Sequence, residues 1–145
     1  MKTVIVLGPL FTQAERIWNR LLKQAIEKER EELKVVLPQD NAKKFIKNNK
    51  VNFKALMENC LVNAKSHDIA IAILDGPDAD SGTCVEIGFR KGTNRKLKVI
   101  GVRTDFRASE NEGLNAMLHI CDKIIYFPSF NEDVEKLAQE IIVAI

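Results

Sequence analysis

The sequence lacks any apolar run approaching the roughly 18 residues of a membrane span, and its start, Met1-Lys2-Thr3-Val4-Ile5-Val6-Leu7, has no signal-peptide cleavage pattern. A cytoplasmic protein with no membrane partner is expected. Cysteine is scarce: Cys60, Cys84 and Cys121 form an odd set with no C-x-x-C pair, each among apolar neighbours. Buried free thiols are therefore expected, with no disulfide, redox or metal role. No excess of either charge exists, since 22 Lys and Arg face 20 Asp and Glu for a net +2. That balance argues against nucleic acid as a partner. The lysines at 43, 44, 47, 50 and 54 read as a solvated face, within a segment 40–52 that is also placed to rim a site.

Other absences narrow the chemistry. The turn after the first apolar run reads Gly8-Pro9-Leu10-Phe11-Thr12, which is neither G-x-G-x-x-G nor G-x-x-x-x-G-K-[ST], so neither phosphate cradle is present. No acidic cluster stands beside that turn, as a phosphoacceptor receiver would need. No G-x-S-x-G elbow occurs, and His67 and His119 lack a metal-ligand spacing. Triad hydrolysis and a metal site fall away.

What is present is the pattern of one domain over residues 1–145, with 46% hydrophobic and 29% charged residues. A chain of this length buries about two thirds of its unfolded surface, enough for a core without staples. Strands are predicted at 3–7, 34–37, 68–74, 98–102 and 123–127. Between them, helical spacing runs from a Thr12/Glu15 capping box to about Glu31, over Phe53 to Ala64, from Thr83 to about Lys91, weakly over 114–120, and after an Asn131 cap. Alternating strands and helices imply an α/β, doubly wound (flavodoxin/Rossmann-like) fold, a five-stranded parallel sheet with helices on both faces and 68–74 as its central strand. In such sheets ligands bind beyond the carboxyl ends of the strands. The loops opening at Gly8, Pro38, Asp75, Arg103 and Pro128 are thus the candidate site.

Carboxylates concentrate there: Asp75, Asp78 and Asp80 in one loop, then Glu86 in an otherwise uncharged helix start, Thr83-Cys84-Val85-Glu86-Ile87-Gly88-Phe89. Two readings stand side by side. Acids near a helix N-terminus complement its dipole, and a carboxylate in such a place also suits nucleophilic attack on a sugar carbon.

Gly8-Pro9-Leu10-Phe11-Thr12, Leu37-Pro38-Gln39-Asp40, the stretch from Leu74-Asp75-Gly76-Pro77 through Asp80-Ser81-Gly82-Thr83 with Glu86-Ile87-Gly88, Arg103-Thr104-Asp105-Phe106-Arg107 and Asn115-Ala116-Met117-Leu118 together resemble the nucleoside 2-deoxyribosyltransferases. The resemblance implies a cofactor-free exchange of the base on 2′-deoxynucleosides, with free nucleobases as co-substrates, through a covalent deoxyribosyl-glutamate. It places Glu86 as nucleophile and Asp80 as a holder of the 5′-hydroxyl. Asp75 becomes a proton-handling or positioning group, and Gly8, Pro9 and Phe11 join the substrate pocket. Asn115 would be supplied to the sugar by a neighbouring subunit of a homo-oligomer, a dimer or an assembly of dimers; the competing reading of Asn115 is a helix cap. Cys60 departs from the pattern, standing where members often carry an acid or amide. Two alternatives stay open: an N-glycosidase acting on nucleosides or nucleoside 5′-monophosphates, and a non-catalytic nucleotide-binding module.

Overall fold

The computed structural model describes residues 1–107 and 114–145. The strands and helices run β1 (Lys2–Leu7), α1 (Gln13–Glu29), β2 (Leu33–Val36), β3 (Ile46–Lys47), β4 (Lys50–Val51), α2 (Phe53–Ser66), β5 (Ile69–Ile73), α3 (Ser81–Thr93), β6 (Lys98–Arg103), β7 (Lys123–Tyr126) and α4 (Val134–Ala144). Short 3-10 turns intervene at Pro38–Asp40, Ala42–Phe45, Ala116–Ile120 and Ser129–Asn131. Five strands form a parallel sheet in the order β2-β1-β5-β6-β7, the doubly wound arrangement, and β5 is central.

The side-chain period of two divides β5 between two cores. Ile69, Ile71 and Ile73 point to the face covered by α1 and α4, where they meet Leu22, Ile26, Leu137 and Ile141. Ala70 and Ala72 point to the face of α2 and α3, where they meet Ala64 and Ile87. Branched residues thus fill one layer, and small ones let the site-bearing helices lie close to the sheet. Among the described residues no helix is long and apolar enough to cross a membrane.

Several local expectations need correction. The lysine-rich stretch is structured: β3 and β4 form a hairpin whose turn residues Asn48 and Asn49 have φ of 51° and 57°, the left-handed geometry a two-residue turn requires. The segment before β7 is a 3-10 turn capped by Asn115. α3 begins at Ser81, two residues before Thr83, because Asp80 takes the cap. Asn131 is not the cap of the last helix; a 3-10 turn and the left-handed Glu132 delay it, and Asp133 caps instead. Of the three thiols only Cys121 is buried, while Cys60 and Cys84 are half-buried on the helices flanking the site.

Candidate functional site

The chain leaves β1 toward β2 and later returns to β5 on the other side of β1. Strand order therefore reverses between β1 and β5, and a crevice opens at their carboxyl ends. Gly8 closes β1 against β5. A Cβ there would lie 2.9 Å from the Ile73 Cβ, so only glycine allows this approach.

The turn after Gly8 is set by α1. The Glu15 carboxylate accepts from the Phe11 and Thr12 amides at 2.8 and 2.7 Å, and the Thr12 hydroxyl accepts from the Glu15 amide. With its backbone held in this way, Phe11 keeps its ring 76% exposed at the site rim. One turn later the buried Asn19 donates to the Pro9 carbonyl and to the Gln39 side chain, both at 3.1 Å. Gln39 donates to the Arg16 carbonyl, and the Arg16 guanidinium bridges the Leu10 and Gln39 carbonyls. Three polar side chains thereby tie the Gly8 and Pro38 loops into one unit. No sequence motif marks Arg16 or Asn19; the one available signal is an amide, Asn19, inside the stripe of Trp18, Leu22 and Ile26.

Asp75 ends the central strand with both oxygens engaged. Oδ1 accepts from the Thr104 and Asp105 amides and Oδ2 from the Thr104 hydroxyl at 2.6 Å. Arg103, fully buried, donates to the carbonyls of Leu74, Gly76 and Arg107. Asp105 accepts from the Gly76 amide and pairs with Arg107, whose guanidinium holds its carboxyl well below the usual range. The acidic loop is therefore fastened to the end of β6 at both Asp75 and Gly76. The second part of the loop after β6, residues 108–113, lies outside the described residues.

At the start of α3, Asp80 Oδ2 accepts from the Thr83 amide at 2.9 Å and hydroxyl at 3.1 Å, fixing the carboxylate at the helix N-terminus. Glu86 follows one turn on, half-buried, facing Cys60 of α2. Burial raises the Glu86 carboxyl to about 7, the Asp80 charge adds to the rise, and the Cys60 thiol opposes it by donating to the carboxylate. The same contact, with burial first, pushes the Cys60 thiol up to about 11. Cys60 is thus a neutral donor to Glu86 where an acid would add a charge.

Glu86, Asp80 and Cys60 come together in one chain. Gly8, Pro9, Phe11 and Asp75 border the crevice from β1 and β5. Asn115 lies elsewhere: exposed, its Oδ1 accepting from the Met117 amide at 3.0 Å, it lines a cleft of about 380 Å³ with Ser81, Cys84 and Gly88 of α3. At ~100° per residue that stripe is on the far flank of α3 from Glu86. Among the described residues no three His, Cys, Asp or Glu side chains are grouped to hold a metal ion.

Residues 6–118 match the sequence profile of a family described as nucleoside 2-deoxyribosyltransferase. No curated protein matches the chain. Among solved structures, a conserved protein from Enterococcus faecalis V583 is similar with a TM-score of 0.79 at 24% identity, over 100% of this chain and 99% of that one. The 2-deoxyribosyltransferase of Bacillus psychrosaccharolyticus is similar with a TM-score of 0.64 at 20% identity, over 92% and 90%. A CMP N-glycosidase of Clostridium botulinum is similar with a TM-score of 0.58 at 17% identity, over 99% and 100%. These three likenesses concern the fold.

Proposed function

The chain belongs to the nucleoside 2-deoxyribosyltransferase family, and from that premise we propose that it exchanges the base of 2′-deoxynucleosides through a deoxyribosyl–Glu86 intermediate, in a cytoplasmic salvage role. The observation that carries the reading is the placement of Glu86: a half-buried carboxylate one turn into α3, beside Asp80 at the helix start and facing Cys60, with burial pushing its carboxyl up to about 7.

One Glu86 oxygen attacks C1′ from the face opposite the base. The C1′–N bond breaks, its electron pair goes to the base nitrogen, and the leaving base takes up a proton from solvent. A nitrogen of the second base then attacks C1′ and gives up its proton to solvent, the C1′–O bond breaks, and the Glu86 carboxylate is released. Two inversions retain the configuration. The transition state has oxocarbenium character, and the charge of Asp80 beside Glu86 stabilises it. Asp80 Oδ1, which accepts no bond among the described residues, is the oxygen offered to the 5′-hydroxyl. Asp75 serves as a positioning group, since its bonds to Thr104 and Asp105 set the loop that presents Asp80. Gly8, Pro9 and Phe11 form the base end of the pocket. Asn115 of a second copy completes the sugar end, and the scheme draws on no cofactor.

Incubation with 2′-deoxyinosine and adenine tests the reading. New 2′-deoxyadenosine is expected; free deoxyribose instead would make the protein a hydrolase, and no turnover would leave a binding module. Because Asp80 sets a negative charge where a phosphate would lie, 5′-monophosphates should be poorer substrates than nucleosides, and Asp80→Ser should narrow that difference. Equal use of both by the wild type would favour the nucleotide hydrolase.

A further inference from the structure

A second cleft, of about 350 Å³, opens on the other side of the sheet from Glu86. Trp18 and Leu21 of α1, Phe127 and Ser129 after β7, and Thr104 and Asp75 at the ends of β6 and β5 line it, together with Glu132, Asp133 and Val134 at the start of α4. Its position follows from the strand period: Trp18, Phe127 and Val134 belong to the core layer of α1 and α4, whereas Glu86 rises from α3 over the opposite layer.

The lining has a consistent chemistry. Trp18, half-buried, supplies flat apolar surface, and the buried Phe127 closes the floor beneath it. Three carboxylates, from Asp75, Glu132 and Asp133, stand around it, and no lysine or arginine is among the lining residues. Two of the three are already engaged, Asp75 by the β6 loop and Asp133 by the Lys136 amide at 2.8 Å. The Glu132 amide donates to the Ser129 carbonyl at 3.3 Å, while its exposed carboxylate makes no ion pair or hydrogen bond among the described residues. Glu132 also adopts a left-handed backbone, φ 49° and ψ 23°, a conformation that disfavours non-glycine residues. The Trp18 indole N–H is buried with no acceptor among the described residues, so packing alone fixes the ring that forms the wall.

We propose that this cleft binds a small planar organic cation, of the aryl amidinium or protonated aminopyridine class. Its ring would lie against Trp18, where a cation gains from the aromatic face. Its N–H groups would fork onto the Glu132 carboxylate, with the Thr104 and Ser129 hydroxyls alongside. The volume is at the small end of ligand clefts, about 300–1,000 Å³, and suits one or two rings. A ligand seated there also touches Asp75, the residue that fastens the acidic loop on the way to Asp80.

Trp18 is the sole tryptophan of the chain, so intrinsic fluorescence reads the cleft directly. The whole protein is titrated with benzamidine and, separately, with its neutral isostere benzamide, by fluorescence and by calorimetry. Saturable benzamidine binding is expected, with benzamide weaker by about tenfold or more. Glu132→Gln should weaken benzamidine by about tenfold, with the circular dichroism spectrum unchanged, while Glu86→Gln leaves its affinity unaltered. Absence of saturable binding by both methods, equal affinity for benzamide, indifference to Glu132→Gln, or loss of affinity in Glu86→Gln would each overturn the proposal. Base exchange plays no part in the readout, so the catalytic reading stands or falls separately.

Discussion

At the scale of the residue, Glu86 is set by three neighbours acting in two directions. Burial and Asp80 favour its protonated form, and the Cys60 thiol favours the carboxylate. Attack on C1′ requires the ionised form, so kcat/KM should fall as pH drops through about 7. Cys60→Ala removes the donor and should move that limb to higher pH, whereas Cys60→Ser, which keeps a hydroxyl donor, should hold it near the wild-type position. An unmoved limb in Cys60→Ala would mean that the thiol does not bear on Glu86. A stability effect follows from the same values. The folded carboxyl titrates near 7 against an ordinary 4.5, so the folded state binds the proton more tightly, and Glu86 costs stability progressively as pH rises across that interval. Glu86→Gln should therefore stabilise the protein on the order of 2 kcal/mol at about pH 8 and change little at about pH 4, as read by urea denaturation.

At the scale of the element, α1 does more than cover the sheet. Its buried Asn19 and its Arg16 hold the loops after β1 and β2 in one piece. Asn19→Leu should cost about 2 kcal/mol in denaturation, by leaving the Gln39 side chain and Pro9 carbonyl short of a donor, and should raise KM more than it lowers kcat. A variant with native KM would detach these loops from substrate binding. The β/α alternation was legible because β5 is a continuous apolar run and because Thr12 and Glu15 form the capping box that the spacing announced. Glu86 stood out for a related reason, as one charge in an apolar helix start. The Asn19–Gln39–Arg16 network was not legible, since it joins the Gln39 side chain to the Asn19 side chain and the Arg16 carbonyl, 20 and 23 positions away, which only the fold brings together. The hairpin at 46–51 is not legible because its strands are two residues each and exposed, so no apolar alternation marks them. Asp133 displaced Asn131 as a cap because the left-handed Glu132 delays the helix, a backbone choice without a composition signal.

At the scale of the whole molecule, Glu86 looks toward Cys60 of α2, whereas Asn115 lines the cleft on the opposite flank of α3, beside Ser81, Cys84 and Gly88. The proposed mechanism, which sets Glu86 and Asn115 on one substrate, therefore calls for an active unit of at least two copies that share sites across a twofold axis. Glu86→Ala and Asn115→Ala, each inactive alone, should regain activity when mixed under conditions of subunit exchange, because one site of a mixed dimer then carries neither lesion. No recovery after demonstrated exchange would show that each chain builds its own site. The Glu86→Ala parent is also the direct test of the chemistry. Purified and shown to be folded by circular dichroism, it should lose exchange between 2′-deoxyinosine and adenine by at least roughly 10³-fold; exchange at the wild-type rate would contradict a covalent deoxyribosyl–Glu86 mechanism.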